Sequence, residues 1–346
     1  MKESVDILVI TNLPSFYKIN LYNGIAKYRS MRVVYTGDGV ADRNPDFFSG
    51  KMEFDSIFLS RGKIWRVFQL LKILCSTKYK ELQLGGWDSV PLWLAAFVSS
   101  KRKNAVVVES SYLESSTTGI KGLIKRLFIT RVSKVYASGI SQCKITDNLG
   151  FEGKTVITKG VGVFNVVPQP KYVAHEKVSK FIYVGRLTAV KNLEFLIDVF
   201  NNLPHLSLTI VGFGEQELLL KQKAGDNISF TGAVDNKLLP NLYQEHDVFI
   251  LPSRSEPWGL VVEEALNNGL PVVVSNRVGC AEEIVIEGEN GYVFEYDSER
   301  SLIDAITKIC DVAHYNEMRY AISKMNFDEI EQQQIKSYLL CQNSYK

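Results

Sequence analysis

Short apolar strands alternate with helical stretches through both halves of the chain, and this alternation constrains the fold more than any other feature. It is typical of α/β domains built on parallel sheets, whose strands are buried on both faces and rich in Val and Ile. The predicted strands cover 6–11, 31–36, 105–109 and 134–138 in the first half, and 180–185, 206–212, 227–232, 247–252 and 271–275 in the second. The predicted helices between the first strands cover 20–29, 63–75 and 121–131. The expected fold class is therefore α/β, with doubly wound parallel sheets.

The length of the chain predicts two domains. Its 346 residues are too many for one ordinary hydrophobic core, and a hydrophobic content of 46% is enough for two. Between about 160 and 180 the hydrophobic period is lost, and Pro168 and Pro170 lie close together, which is typical of a linker. We expect one domain over 1–165 and a second over 175–325.

Several classes of protein are disfavoured by what the sequence lacks. The longest apolar stretch, 91–98, is far short of the ~20 residues that a membrane-spanning helix needs, and the first residues carry no cleavage signature. The five cysteines are far apart and have no histidine at ligand spacing, so neither a disulfide framework nor a zinc site is expected. The sequence also contains no Asp-x-Asp motif. We expect a cytoplasmic protein with reduced thiols and with no metal or other cofactor.

Charge is distributed unevenly along the chain, although its formal net charge is only +2. Residues 1–180 hold 27 Lys and Arg against 14 Asp and Glu, a balance of +13, whereas residues 181–346 hold 13 against 24, a balance of −11. One interpretation is that the first half faces an anionic partner such as phosphates, nucleic acid or a membrane surface. The other is that two oppositely charged halves attract each other. Nucleic acid is disfavoured as a partner because aromatic residues are not interleaved with the charges in any recognised module.

The segment 251–270, LPSRSEPWGLVVEEALNNGL, carries the strongest chemical signal. A helix is predicted to begin near Pro257, and its first-turn amides, which have no partner within the helix, suit a phosphate. These amides belong to Gly259, Leu260 and Val261. Glu256 precedes that turn and Glu264 lies more than two turns into the helix, so the two carboxylates can reach opposite ends of a nucleotide-sugar. The alternative is that both are ordinary helix charges, since acids are common near helix N-termini.

Two basic residues follow the first strand of the second half, in the segment GRLTAVKN (185–192). Arg186 leaves the carboxyl end of that strand, where open α/β sheets bind ligands, and Lys191 follows near a helix start. Together they suit a diphosphate, with the Arg as a fork and the Lys as a mobile point charge. Either residue taken alone is more typical of a surface charge.

A glycine-rich turn follows the next strand, in VGFGEQE (211–217). Gly212 and Gly214 match the start of the dinucleotide fingerprint G-x-G-x-x-G, but its third glycine is replaced by Glu217. An NAD-dependent dehydrogenase is therefore disfavoured. The turn indicates either a tight connection between a strand and a helix or a close approach of the backbone to a nucleotide.

These three segments, together with 271–294, resemble in order and spacing the donor-domain signature of the family 4 retaining glycosyltransferases of the GT-B fold, over about 180–310. The resemblance implies two Rossmann-like doubly wound domains that face each other across a cleft. It implies that Arg186 and Lys191 hold the diphosphate of a nucleotide-sugar. Glu256 then contacts the sugar hydroxyls and Glu264 the ribose. The other residues implied in donor binding are Gly259, Leu260 and Val261 at phosphate, Gly212 and Gly214 along the nucleotide, and Gly232, Ala233 and Val234 by the base.

The first half resembles, more loosely, a branch of the same family found in cell-surface polysaccharide assembly, through the segments 11–27, 82–89 and 106–131. Many relatives carry a histidine at the end of the strand that finishes here in Glu109. If this chain makes the same catalytic contact, the resemblance assigns it to Glu109; otherwise the contact is not made. The alternative that Glu109 is an ordinary charge at the end of a strand stays open. The resemblance also implies that a last helix over 326–346 packs back on the first domain.

The resemblance predicts an enzyme, a metal-independent retaining glycosyltransferase in which the leaving phosphate acts as the base. It moves a sugar from a UDP- or GDP-sugar to a glycan or lipid-linked acceptor in cell-surface polysaccharide synthesis. Two alternatives stay open, a nucleotide-sugar epimerase of the same fold and a nucleotide-sugar-binding protein without transfer activity. A binding protein needs Glu264 for the ribose but has no need for Glu256.

Two basic amphipathic segments, 61–74 and 121–134, are predicted to be helices that pack on the first sheet. In 61–74 the face expected to be buried consists of Ile64, Val67, Phe68, Leu71 and Leu74. The basic residues of both segments, with the +13 balance of the first half, also predict peripheral contact with an anionic membrane at the inner face of the plasma membrane.

Overall fold

A computed structural model describes residues 3–37, 45–60, 62–112 and 115–339 of the chain. It divides the chain into two compact units, one made of Met1–Phe164 with Glu329–Lys346 and the other of Asn165–Asp328. Each unit contains a parallel sheet flanked by helices, which confirms the predicted α/β fold class. No helix within these described residues is long and apolar enough to cross a membrane.

The first unit is built on a parallel sheet. Its strands, as far as the structure describes them, are β1 (Glu3–Thr11), β2 (Met31–Tyr35), β3 (Asp55–Phe58), β4 (Thr77–Leu84), β5 (Asn104–Val108), β6 (Lys134–Ala137) and β7 (Lys154–Ile157). They lie in the order β3-β2-β1-β4-β5-β6-β7, so the order reverses between β1 and β4. The helices that follow these strands are α1 (Phe16–Ala26), α2 (Lys63–Ser76), α3 (Val90–Val98), α4 (Gly119–Ile129) and α5 (Ile140–Asn148).

The second unit repeats this architecture. Its strands are β8 (Lys180–Val184), β9 (Ser207–Val211), β10 (Ile228–Gly232), β11 (Val248–Leu251), β12 (Val272–Ser275) and β13 (Gly291–Phe294). They lie in the order β10-β9-β8-β11-β12-β13, and the reversal falls between β8 and β11, which pair in parallel. Its helices are α6 (Leu193–Asn201), α7 (Glu217–Lys223), α8 (Leu239–Gln244), α9 (Leu260–Asn267), α10 (Ala281–Ile284), α11 (Glu299–Ile309) and α12 (Val312–Ile322).

Helix α13 (Phe327–Leu339) packs on the sheet of the first unit, far along the chain from the strands that it covers. Ile335 lies so close to α1 that a Cβ at Gly24 would come within 2.4 Å of the Ile335 Cδ1 atom. Tyr338 stacks on Tyr136 of β6 with ring centroids 4.6 Å apart. Residues 340–346 of the predicted last helix lie outside the described residues.

Strand β4 lies beside β1 in the first sheet, yet the sequence pattern does not predict it. Its sequence TKYKELQL is polar, and Glu81 and Gln83 are buried. Lys134 of β6 forms an ion pair with Glu81, the Tyr136 hydroxyl donates to Glu81 Oε1 at 2.9 Å, and Gln83 donates to the same oxygen at 2.8 Å. A buried strand can carry a carboxylate when its neighbours supply the partners, and an apolar pattern cannot detect such a strand.

The face of α2 predicted to pack on the first sheet is only partly right, because Leu74 is buried as expected and Val67 and Leu71 are half-buried. Ile64 and Phe68 of α2 are exposed, and Leu70 and Leu74 are buried. In α4 the buried residues are Gly122, Phe128 and Ile129, and the residues left exposed are Ile120, Leu123, Ile124 and Leu127. Each helix carries large apolar residues on two sides, and periodicity alone does not tell which side meets the sheet.

Candidate functional site

The strand order of the second unit places its candidate site between β8 and β11. Ligands of open α/β sheets bind outside the carboxyl ends of the strands where the strand order reverses. Strand β8 ends at Val184 and leads into 185–192, and β11 ends at Leu251 and leads into 252–259. The topology therefore brings together the two segments whose residues suit a diphosphate and a sugar.

Lys191 and Glu256 form an ion pair at this edge of the sheet, between Lys191 Nζ and Glu256 Oε2. Their side chains are only 14% and 15% exposed. The backbone on the Glu256 side is also held, because Arg254 N donates to Val190 O at 2.8 Å and Glu256 N donates to Arg277 O at 3.0 Å. A largely buried, charge-assisted contact of this kind fixes the positions of both side chains.

Arg186 lies at the same edge and is exposed. Within the described part of the chain its guanidinium forms no ion pair, so its charge is available to an anionic ligand. The buried Tyr183 hydroxyl donates to Arg186 O at 2.9 Å and holds the start of the turn. Burial raises the pKa of Tyr183 well above its usual value, the charge of Glu256 raises it further, and the charge of Arg186 opposes the rise. Tyr183 therefore stays a neutral donor beneath the site.

The helix that follows Glu256 begins later than predicted, at Leu260 and not near Pro257. Gly259 caps it with a φ of 97°, in the left-handed region that favours glycine. The segment before it is held as extended backbone, because Gly279 N donates to Glu256 O at 2.9 Å and Cys280 N donates to Trp258 O at 2.8 Å. The first-turn amides of α9, which include those of Leu260 and Val261, have no partner within the helix.

Two adjacent carboxyl groups of α9 have raised pKa values. Burial raises the pKa of Glu263 to about 8, although Trp258 Nε1, which donates to it at 2.8 Å, lowers it. Burial likewise raises the pKa of Glu264 to about 7, against the opposing effect of the Tyr243 hydroxyl. Glu263 is buried against Trp258, whereas Glu264 keeps part of its surface exposed. Of the two, Glu264 is the one that a ligand can reach.

The glycine-rich turn after β9 packs directly on the turn after β8. A Cβ at Gly212 would lie 1.9 Å from Gly185 O, and one at Gly214 would lie 2.4 Å from Leu187 O. Leu187 N donates to Phe213 O at 2.8 Å and joins the two turns. Both glycines are therefore required by contact between backbones, as the tight-connection interpretation expects, and this contact brings them beside Arg186.

The segment predicted to lie by the base follows β10 at the same end of the sheet. Gly212 N donates to Gly232 O at 2.9 Å, which links this segment to the glycine-rich turn. Gly232 has a φ of 73°, and no atom lies within 4 Å of the position its Cβ would take. Ala233 is exposed and Val234 is half-buried. These residues lie one strand further from the reversal than Gly212 does.

Glu109 follows β5 and belongs to the first unit, whereas the residues described above belong to the second. It forms an ion pair with Lys18 of α1, whose side chain is 10% exposed. The sequence interpretation missed Lys18, because the two residues are 91 positions apart and only the pairing of β1, β4 and β5 brings them together. A carboxylate held by a buried cation thus lies where the resemblance expects an imidazole.

The sequence interpretation also missed the residues that support the second-unit site. These residues are Tyr183, Trp258 and Tyr243, and each directs a donor at the site or at its carboxyl groups. An aromatic donor within three positions of a candidate charge is the signal that could have found the first two. For metal ions, residues 3–37, 45–60, 62–112 and 115–339 contain no group of three or more His, Cys, Asp or Glu arranged to hold one.

The second-unit site therefore combines an exposed guanidinium, an ammonium paired with a carboxylate, and the amide end of a helix. This arrangement can bind a diphosphate and leave a carboxylate beside it. The family model described as Glycosyl transferases group 1 matches residues 169–325, which contain the whole of this site. Residues 169–325, a little under half of the chain, are therefore similar to the glycosyl transferases group 1 family.

Solved structures and curated proteins similar to this chain extend the comparison. The Anabaena protein HepE, in complex with UDP and glucose, superimposes with a TM-score of 0.70 at 17% identity, over 97% of this chain and 99% of that one. This chain therefore has the GT-B fold over nearly its whole length. Sulfoquinovosyl transferase SQD2 of Arabidopsis thaliana is 37% identical over 154 residues, which are 43% of this chain and 29% of that protein. The O-antigen biosynthesis glycosyltransferase WbnH of Escherichia coli is 36% identical over 171 residues, which are 49% of this chain and 47% of that protein. The matched segment spans less than half the length of these two curated relatives.

Proposed function

We propose that this protein is a retaining glycosyltransferase that moves a sugar from a UDP- or GDP-sugar to a glycan or lipid-linked acceptor in cell-surface polysaccharide synthesis. The observation that carries the proposal is the Lys191–Glu256 pair beside the exposed Arg186, at the reversal of the second sheet. The match of residues 169–325 to the group 1 family model supports the reaction class. The likeness to HepE with UDP and glucose supports a nucleotide-sugar donor, and the similarity to WbnH supports a polysaccharide role.

The donor is bound along the carboxyl edge of the second sheet. Arg186 and Lys191 bind the diphosphate, and the first-turn amides of α9 bind a phosphate oxygen. The ion pair with Lys191 uses Glu256 Oε2, so Oε1 can accept a hydrogen bond from a sugar hydroxyl. The remaining contacts of the nucleotide are Glu264 with the ribose and Gly232, Ala233 and Val234 with the base.

Transfer requires one bond to break and one to form at the anomeric carbon. The bond from that carbon to the diphosphate oxygen breaks, and the acceptor hydroxyl oxygen bonds to the same carbon on the same face. Negative charge develops on the leaving diphosphate, where Arg186, Lys191 and the amides of α9 stabilise it. The proton of the acceptor hydroxyl passes to the leaving diphosphate oxygen. Because these protein groups supply positive charge where it is needed, we propose that the transfer is metal-independent.

The first unit binds the acceptor in this proposal. Glu109, held by Lys18, makes the contact that a histidine makes in many relatives. The excess of basic residues over residues 1–180 suits an anionic or lipid-linked acceptor and peripheral contact with an anionic membrane.

A two-step experiment tests the function. UDP- and GDP-sugars are first screened for an increase in melting temperature, and the stabilising donor is then incubated with a lipid-linked acceptor fraction. We expect release of the nucleoside diphosphate, a glycosylated lipid, and an anomeric configuration by NMR that matches the donor. Donor binding without any release of nucleotide would indicate a binding protein, and conversion of the donor into its epimer would indicate an epimerase. Either result overturns the proposal, as does a lack of stabilisation by every donor.

A further inference from the structure

Helices α2, α3 and α4 lie side by side on one face of the first sheet. Their inner residues, including Leu70 of α2, Leu92 of α3 and Phe128 of α4, belong to one buried cluster. Helix α3 lies between the other two, because it packs against α2 and because its Trp93 contacts Phe128 at a centroid distance of 5.1 Å. The outer sides of the three helices face away from this buried cluster, and together we call them the docking face.

The docking face is apolar where a helix surface usually is polar. Its prominent side chains, between 50% and 74% exposed, are Ile64, Trp65, Phe68, Leu123, Ile124 and Leu127. In α4 the exposed residues Ile120, Leu123, Ile124 and Leu127 follow the spacing of a single helical stripe. An exposed apolar stripe such as that of α4 marks a site of interaction with a protein or a membrane.

The charge of the docking face is of one sign. None of the three helices contains an Asp or a Glu. Their basic residues are Lys63, Arg66, Lys72, Lys121, Lys125 and Arg126, of which Lys125 is half-buried and donates to Ser115 and Ser116. The turn Lys101–Lys103 after α3 adds further positive charge. An apolar stripe flanked by Lys and Arg is typical of helices that lie in the interface of an anionic membrane.

We propose that the docking face binds an anionic lipid membrane, with its apolar side chains entering the headgroup region and its basic residues contacting the lipid phosphates. The alternative occupant, a second copy of this chain, is disfavoured by charge, since a two-fold contact brings the same positive surfaces against each other. A membrane of anionic lipid is negative throughout and complements the whole face. This proposal rests on the proposed function in one respect, because the lipid-linked acceptor would lie in such a membrane.

Trp65 provides a direct probe of this contact. It is 70% exposed on the docking face, whereas Trp258 is buried and Trp87 and Trp93 are half-buried. The full-length protein is mixed with phosphatidylcholine vesicles with and without phosphatidylglycerol. With anionic vesicles only, we expect a blue shift of the tryptophan emission and quenching by lipids brominated in the acyl chains. The Trp65→Phe variant should still sediment with anionic vesicles but lose most of the shift and the quenching.

Matched variants separate the docking face from other exposed apolar residues. The face variant carries Leu123→Gln and Ile124→Gln, and the control carries Leu218→Gln and Leu219→Gln on α7 of the second unit, where both leucines are also exposed. We expect binding to anionic vesicles to fall about tenfold or more in the face variant and to stay unchanged in the control. A third variant with Lys121→Gln and Arg126→Gln should lose about tenfold at low salt, and wild-type binding should weaken steeply as salt is raised.

The remaining outcomes overturn the proposal. These are equal binding to neutral and anionic vesicles, sedimentation without quenching of Trp65, and no binding at low salt. Analytical ultracentrifugation tests whether a second copy of the chain occupies the face. If the wild type is a dimer and the face variant is a monomer, the face is a contact between copies. Stabilisation by UDP- and GDP-sugars is measured without vesicles in the same variants. If docking fails while this stabilisation persists, only the inference about the membrane is lost.

Discussion

Lys191 and Glu256 are 65 residues apart in the chain and form a largely buried ion pair that joins the turn after β8 to the segment before α9. In our proposal one partner binds the diphosphate and the other contacts the sugar. The pair therefore couples recognition of the two parts of the donor. Arg186, the other cation of the site, is exposed and lacks this coupling.

This difference predicts distinct effects of removing the two cations. Arg186→Ala should weaken nucleotide-sugar binding by ~1–3 kcal/mol and leave the melting temperature nearly unchanged. Lys191→Ala should weaken binding to a similar extent and also lower the free energy of unfolding by about 3 kcal/mol, because it leaves a largely buried carboxylate without its cation. Calorimetric titration and thermal unfolding measure the two quantities, and adding Glu256→Gln to Lys191→Ala should restore part of the stability. Unchanged donor affinity in both single variants would remove the diphosphate assignment.

The two site carboxylates should affect different quantities. Glu256→Gln is expected to lower the transfer rate at least about tenfold with little effect on the affinity for UDP or GDP, because its partner is the sugar. Glu264→Gln is expected to weaken binding of the nucleotide itself. Since the pKa of Glu264 is about 7, and its ionised form is the better acceptor for ribose hydroxyls, wild-type nucleotide affinity should also rise as the pH increases through 7. Equal losses of both quantities in the two variants would contradict this division of roles.

Glu263 should make the protein less stable at high pH. Its pKa is raised from 4.5 to about 8, so the folded protein binds this proton more tightly than the unfolded chain does. The free energy of unfolding should therefore fall as the pH rises from about 4.5 to about 8. Glu263→Gln keeps an acceptor for Trp258 Nε1 and has no charge, so its advantage over the wild type should grow by about 1–3 kcal/mol across that range. Urea unfolding at pH values across that range measures the difference, and parallel curves for the two proteins would refute the prediction.

The glycines of the donor edge should differ in their tolerance to substitution. Gly212→Ala places a Cβ 1.9 Å from a backbone oxygen, and we expect it to lower the free energy of unfolding by more than ~2 kcal/mol. Gly232→Ala meets open space, so only its positive φ opposes it, and we expect a loss of about 1 kcal/mol. Melting temperatures of the two variants measure this difference in stability. A stable Gly212→Ala that loses only nucleotide affinity would favour the close approach of a ligand over packing of the two turns.

Glu109 should act on transfer and not on nucleotide binding. Because it belongs to the first unit, Glu109→Gln is expected to lower the turnover with the acceptor and leave the affinity for UDP or GDP unchanged. Lys18→Met should lower turnover as well and also reduce stability, since it leaves the Glu109 carboxylate without its buried partner. If the turnover of Glu109→Gln equals that of the wild type, Glu109 is an ordinary charge at the end of a strand.

The parts of the fold that were predictable from the sequence are those in which one short segment carries its own signal. The strands around Ile182 and Ile250 are apolar runs bounded by Gly and Pro, and the segment around Glu256 is recognisable from its residue order. The start of α9 was placed too early because Pro257 is a common first helical residue. In the structure it belongs to backbone that pairs with Gly279, a partner supplied by another part of the chain.

The rest depended on contacts between distant segments. Strand β4 was missed because Lys134 and Tyr136, on another strand, make its buried Glu81 acceptable. The pairing of Lys18 with Glu109 is likewise invisible until the first sheet is assembled. The packing face of α2 was only partly right because the sequence shows that Phe68 is apolar but does not show whether Phe68 or Leu70 meets the sheet.

The return of α13 to the first unit has a consequence for the order in which the protein is made. Ile335 and Tyr338 cover Gly24 and Tyr136, yet the ribosome adds them only after the whole of residues 165–328 has been synthesised. Before α13 is added, the first sheet exposes the apolar surface that α13 covers, although residues 165–328 have all been synthesised by then. The unit that is translated first is therefore the last to be finished, and a fragment that ends at residue 164 should be aggregation-prone unless α13 is supplied to it as a peptide.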